Sequence, residues 1–185
     1  MNLQILKASY SLVTGGTILY PTDTVWGLGC DATNKQAVHK IFKLKKREES
    51  KSLVVLVSSL DMLKDYVSNI PDKAIQIIHT STKPTTIIYH QPKGLAFNTI
   101  AVDHTVAIRI PKHEFCIQLI NQFGKPIVST SANISGSPTP SDFSEISQAI
   151  LEGVDYVVNL ERDKITDKSS TILKLIGDEI KVIRA

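Results

Sequence analysis

Short β-branched runs alternate with stretches of helical period along this whole chain, and that alternation restricts it to α/β architectures. Strand-like runs fall at 17–20, 52–57, 85–89, 106–110, 126–130, 155–159, 171–175 and 180–183. Between them the pattern changes. Asn34 is placed to cap a helix in which Ala37, Val38, Ile41, Phe42 and Leu44 recur at helical spacing. Ser59 or Asp61 opens a short helix through Val67, and Pro71 starts another through Ile78. The run 115–123 is helical in period and stops at Gly124, and 143–151 reads as a helix ending at Gly153. No Pro/Ser-rich linker interrupts the 185 residues and no repeat is visible. One α/β domain, 1–185, built on a twisted mixed sheet with flanking helices, is the expectation.

Composition removes several function classes. The longest apolar runs, such as 53–57, are far too short to span a bilayer, and residues 1–10 lack a signal-peptide pattern. Cys30 and Cys116 are far apart and show no metal or redox spacing, so a reduced, cytoplasmic protein is expected. The net charge of +3 is too mild to argue for nucleic acid. Its distribution says more: Lys40, Lys43, Lys45, Lys46, Arg47 and Lys51 crowd together, interrupted only by Glu48 and Glu49. A solvated helix face would account for such a run equally well.

Three segments have the makings of a binding site. In 20–29, Y-P-T-D-T-V-W-G-L-G, a strand ends at proline and is followed by hydroxyls, a carboxylate and two glycines. Ligands of open α/β sheets bind at such strand ends, although a plain turn is the competing account. In 43–47, K-L-K-K-R, clustered cations suit a polyphosphate. Lys45 projects beside the apolar stripe, which is costly unless the helix ends there or the ammonium reaches a polar site. In 129–136, S-T-S-A-N-I-S-G, a strand end delivers hydroxyls and an amide. A serine nucleophile is disfavoured, because no G-x-S-x-G elbow is present. Neither a P-loop nor a dinucleotide fingerprint occurs, and the five histidines have no metal-ligand spacing. His113 stands out only because it follows the strand that carries Arg109.

Taken in order, these segments resemble the YrdC/TsaC-like family of L-threonylcarbamoyladenylate synthases, from about Gly15 to Arg184. The resemblance rests on Y-P-T-D-T-V-W-G-L-G, on Lys45/Arg47 as a K-x-R element paired with Ser131/Asn133 as S-x-N, on V-A-I-R-I-P at 106–111, and on Ser169-Ser170-Thr171-Ile172 followed by Ile183-Arg184. It implies a YrdC-like fold with a large basic concave surface, in the short, single-domain form. It also implies that L-threonine, bicarbonate and ATP become threonylcarbamoyl-AMP and pyrophosphate. The product would feed the N6-threonylcarbamoyl modification of adenosine 37 in tRNA, with separate proteins performing the transfer.

By matched position, Lys45 and Arg47 should be catalytic and hold the triphosphate, and Ser131 and Asn133 should bind the nucleotide. Thr22 and Arg109 should engage threonine, Arg109 through its carboxylate. Ser170 and Arg184 should complete the cavity, with Lys51, Thr86 and Ser141 nearby. Magnesium should accompany ATP without a protein cage. Three departures from the family pattern stand out: Glu48 where proline is usual, Lys83-Pro84-Thr85-Thr86 without a glycine, and Trp26 where tyrosine is common. An RNA-binding module for double-stranded RNA or tRNA, without synthase activity, is the alternative reading. A hydrogenase-maturation carbamoyltransferase is less well matched, since its acylphosphatase and zinc-finger portions are missing.

Overall fold

The computed structural model describes residues 1–49, 52–166, 169–176 and 179–185. The strands are β1 (Ile18–Tyr20), β2 (Gly27–Gly29), β3 (Val54–Leu56), β4 (Thr85–His90), β5 (Thr105–Arg109), β6 (Ile127–Ser131), β7 (Tyr156–Val157), β8 (Thr171–Ile176) and β9 (Glu179–Arg184). They form one mixed sheet in the order β7-β1-β2-β6-β3-β5-β4-β8-β9. The helices are α1 (Asn2–Val13), α2 (Lys35–Lys45), α3 (Leu60–Tyr66), α4 (Asp72–Thr80), α5 (Glu114–Phe123) and α6 (Gln148–Gly153). None of the described helices is long and apolar enough to cross a membrane. Both cysteines are free and buried.

Strand side chains alternate between two faces, and each face meets a different partner. On one face Leu19, Leu28, Val55, Val106, Ile108 and Val128 join Val38, Ile41 and Phe42 of α2, with Leu63, Ala74 and Ile150 from α3, α4 and α6. On the other face Ile18, Tyr20, Leu56 and Ile127 pack against Ile5, Ala8 and Leu12 of α1 and Phe115, Leu119 and Ile120 of α5. Those two helices cover only part of that second face. Over the remainder the inward positions change to Ser129, Ser131, Ala107, Arg109, Ile88 and Ile172, and the uncovered ground is a cavity.

Three features depart from the sequence expectation. Helix α1 was not foreseen, because it has no side-chain cap and no acidic first turn, and its apolar residues point both inward and outward. Residues 27–29 lie in the segment expected to be a loop, yet they pair with β1 on one side and β6 on the other. Gly29 is required by its neighbours: an added Cβ would sit 2.7 Å from Tyr20 Cε1 and 2.7 Å from the Val128 carbonyl oxygen. The expected helix at 143–151 is two pieces, a 3-10 turn at Phe143–Glu145 capped by Asp142, and then α6.

The α2 helix begins as expected, with the Asn34 side chain accepting from Gln36 N and Ala37 N. Its end fixes the basic cluster. Lys46 takes φ 49°, in the left-handed region. Its N–H donates to Lys43 O, and Arg47 N–H donates to Phe42 O at 2.9 Å. This reversal places Lys45 inside the last turn and throws Arg47 out of the helix. The K-x-R spacing is thus two cations on either side of one left-handed residue.

Candidate functional site

The cavity of about 370 Å³ lies at the strand ends of β2, β3, β5 and β6 and is closed on its far side by β8 and β9. That volume is in the range of small-molecule sites. Among the described residues its lining carries three guanidinium groups, Arg47, Arg109 and Arg184, and no carboxylate or histidine. Hydroxyls of Thr24, Ser129, Thr130, Ser131 and Ser170 add polar contacts, and Val54, Ile88 and Ala107 supply an apolar floor.

Arg109 comes from the end of β5 and is 4% exposed. Its Nη1 lies 3.1 Å from Asp23 Oδ1, whose side chain is 6% exposed. The same Nη1 donates to Thr24 Oγ1 at 3.2 Å, whereas Nε is buried without a partner. Asp23 is itself anchored, since its Oδ2 accepts from Lys112 N at 2.9 Å. The Thr22 hydroxyl donates to Val25 O and accepts from Thr24 N. With its proton committed, Thr22 accepts at 2.9 Å from the Thr24 hydroxyl. Thr24, not Thr22, therefore lines the cavity, and Thr22 acts through it.

Arg184 Nε and Nη2 donate to Ser170 O at 3.1 and 2.8 Å. Ser170 Oγ lies 2.8 Å from the hydroxyl of Thr86, which is wholly buried behind it. Arg47 Nη2 donates to Ser52 O at 3.0 Å, and its Nε has no partner. Burial lowers the pKa of Arg47. Burial and then the charge of Arg109 lower that of Arg184. An anion entering the hollow would relieve the repulsion between Arg109 and Arg184.

Lys45 is 2% exposed and does not line the cavity. The sequence expectation gives it to phosphate, whereas in the structure its ammonium is directed at protein oxygens. Its ammonium donates to Ser131 O at 2.5 Å, to Asn133 O at 2.6 Å and to Asn133 Oδ1 at 3.4 Å. Desolvation, and then the charge of Arg47, bring its pKa down to about 8. Asn133 is also committed. Its Oδ1 accepts from Ser131 Oγ at 2.6 Å, and its amide donates to Ile134 O and Ser137 O.

The expected residues therefore separate. Arg47, Ser131, Arg109, Ser170 and Arg184 meet around one cavity, while Lys45, Asn133, Thr22 and Thr86 stand directly behind them. Ser141 lies apart from the lining, with its N–H donated to Glu145 Oε2 and its carbonyl accepting from Thr166 N. Lys51 lies outside the described residues. His113 is buried against Glu161, with Nε2 3.1 Å from Oε1, and is not in the lining. Trp26 faces the core, edge-on to Phe143 with ring centroids 5.0 Å apart. Sequence reasoning named neither Ser129 nor Ala107 as a site residue. Strand alternation is the signal for both, since Ser129 shares a face with Ser131 and Ala107 with Arg109.

A family model for Sua5, YciO and YrdC proteins, described as "Telomere recombination", matches residues 11–185. The chain is 35% identical over 158 residues to the threonylcarbamoyl-AMP synthase of Pseudoalteromonas translucida, covering 84% of each chain. It is 32% identical over 181 residues to that of Vibrio campbellii, covering 92% of this chain and 96% of the relative. Among solved structures it superposes on P. abyssi Sua5 complexed with L-threonine with a TM-score of 0.87 and 25% identity, covering all of this chain. It spans about half, 54%, of that Sua5 chain. With the cavity, the arginines and the S-x-N turn in the same fold, the chain belongs to the Sua5/YciO/YrdC family.

Proposed function

We propose that this protein condenses L-threonine, bicarbonate and ATP into threonylcarbamoyl-AMP and pyrophosphate, as a nucleotidyl-transferring enzyme supplying the N6-threonylcarbamoyl group for adenosine 37 of tRNA. The observation that carries this reading is a single hollow on which three arginines, Arg47, Arg109 and Arg184, converge. The names of its relatives and the threonine complex of Sua5 support it.

The chemistry needs what the hollow offers. The threonine amine joins the carbon of bicarbonate, releasing water and leaving a carbamate. A carbamate oxygen then attacks the α-phosphorus, and pyrophosphate departs with the electron pair of the broken P–O bond. The carbamate and the triphosphate are both anions, so they must be neutralised and aligned. Arg109, steadied by Asp23 and Thr24, is placed to receive the threonine carboxylate. Arg47, with Ser131, faces the triphosphate, and Arg184 with Ser170 closes the cavity. Among the described residues no three His, Cys, Asp or Glu side chains converge on a metal position. Magnesium brought by ATP would be held largely by phosphate oxygens and water, and would offset phosphate charge.

Purified protein should release pyrophosphate only when threonine, bicarbonate and ATP are all present. Arg47→Ala should lower that rate by roughly 10²-fold, the scale of losing one preorganised electrostatic contact. Retention of tRNA or double-stranded RNA with no pyrophosphate release would replace this reading with an RNA-binding module.

A further inference from the structure

The K-x-R and S-x-N elements form one interlocked unit. An ammonium has three donors and no acceptor. All three donors of Lys45 are directed at oxygens of residues 131 and 133. The tie is reciprocal, because Ser135 N donates to Lys45 O at 2.8 Å. Asn133 braces the same turn from within, accepting from Ser131 Oγ and donating to Ser137 O at 2.7 Å. Lys45 is also the last residue of α2, just before the left-handed reversal that sets the direction of Arg47. A bond from Lys45 to phosphate would have to replace one of these three bonds.

We infer that Lys45 is a positioning residue: it meets no substrate, and instead clamps the 131–135 turn to the end of α2, fixing Ser131 and Arg47 relative to each other across the cavity. This deepens the synthase reading, which it uses only in choosing ATP as the probe. A clamp of this kind accounts for a lysine two residues before the arginine. The first cation is spent on the backbone, and the second is left for the ligand.

Two measurements test the inference. The first is reductive methylation of the native protein, read lysine by lysine by mass spectrometry, with and without ATP. Exposed Lys43 and Lys46 should be modified, while Lys45 stays unmodified in both conditions. Modification of Lys45 in the free protein, with protection by ATP, would overturn the inference. The second compares Lys45→Met with Arg47→Met. Lys45→Met should speed amide exchange across 131–137 and lower kcat by about 10²-fold, the scale of a small misplacement, with a lesser change in KM for ATP. Arg47→Met should leave that exchange at the wild-type rate. Wild-type exchange in Lys45→Met would refute the clamp. A protein that shows the clamp signatures but releases no pyrophosphate under any condition would refute the synthase reading alone.

Discussion

Replacing Arg109 with methionine should separate folding from function, because its guanidinium serves both. Its Nη1 lies 3.1 Å from Asp23 Oδ1, and the two side chains are 4% and 6% exposed. Removing one partner of such a pair leaves a desolvated charge, at a cost of about 3–5 kcal/mol. The lower end applies here, since Asp23 Oδ2 keeps its bond from Lys112 N. For a chain of this length that corresponds to a Tm decrease of roughly 6–12 °C. Asp23→Asn in the same background removes the orphaned charge and keeps an acceptor for Lys112 N. The double variant should therefore regain most of the lost Tm, yet remain unable to use threonine, because the group proposed for its carboxylate is gone. The assays are thermal unfolding and threonine-dependent pyrophosphate release. The reasoning fails if the double variant melts no higher than Arg109→Met, or if Arg109→Met uses threonine with a wild-type KM.

Three further outcomes follow from particular contacts. Asn34→Ala removes the side-chain acceptor for two N–H groups at the start of α2 and should cost about 1 kcal/mol in denaturant unfolding, with turnover intact. Gly29→Ala forces a methyl within 2.7 Å of both the Tyr20 ring and the Val128 carbonyl oxygen, so it should destabilise by about 1–3 kcal/mol or more, where an exposed glycine would tolerate the change. Cys30 and Cys116 are buried, and desolvation raises both thiol pKa values well above the ordinary range. Neither should react with a thiol reagent at pH 8 until the protein unfolds, and rapid labelling of the native state would contradict their burial.

Where one physical signal dominated, the sequence was readable. Runs of β-branched residues marked β3, β5 and β6 because those strands are buried on the sheet's interior, and Asn34 marked the start of α2 because its cap is purely local. Strand β2 was hidden: two of its three residues are glycines, and only pairing with β1 and β6 makes it a strand. Tertiary context also produced α1, whose outward Leu3, Leu6 and Tyr10 blur its amphipathic pattern. In the site, the family resemblance named Arg47, Arg109, Ser131, Ser170 and Arg184 by matched position, and all five line the cavity. It did not reveal which groups face the ligand. Lys45, Asn133 and Thr22 differ from the lining residues only in where their hydrogen bonds are spent, and that depends on contacts across more than eighty residues of chain for Lys45.

Among the described residues that line the hollow there is also no carboxylate, imidazole or thiol to activate water. For the proposed product that omission protects. A mixed anhydride is readily hydrolysed, and a basin of guanidinium and hydroxyl groups would favour its formation while none of its described lining residues is a base to destroy it. The same poverty of acid–base groups that makes the site hard to recognise as catalytic would let a short-lived acyl donor survive until it is handed on.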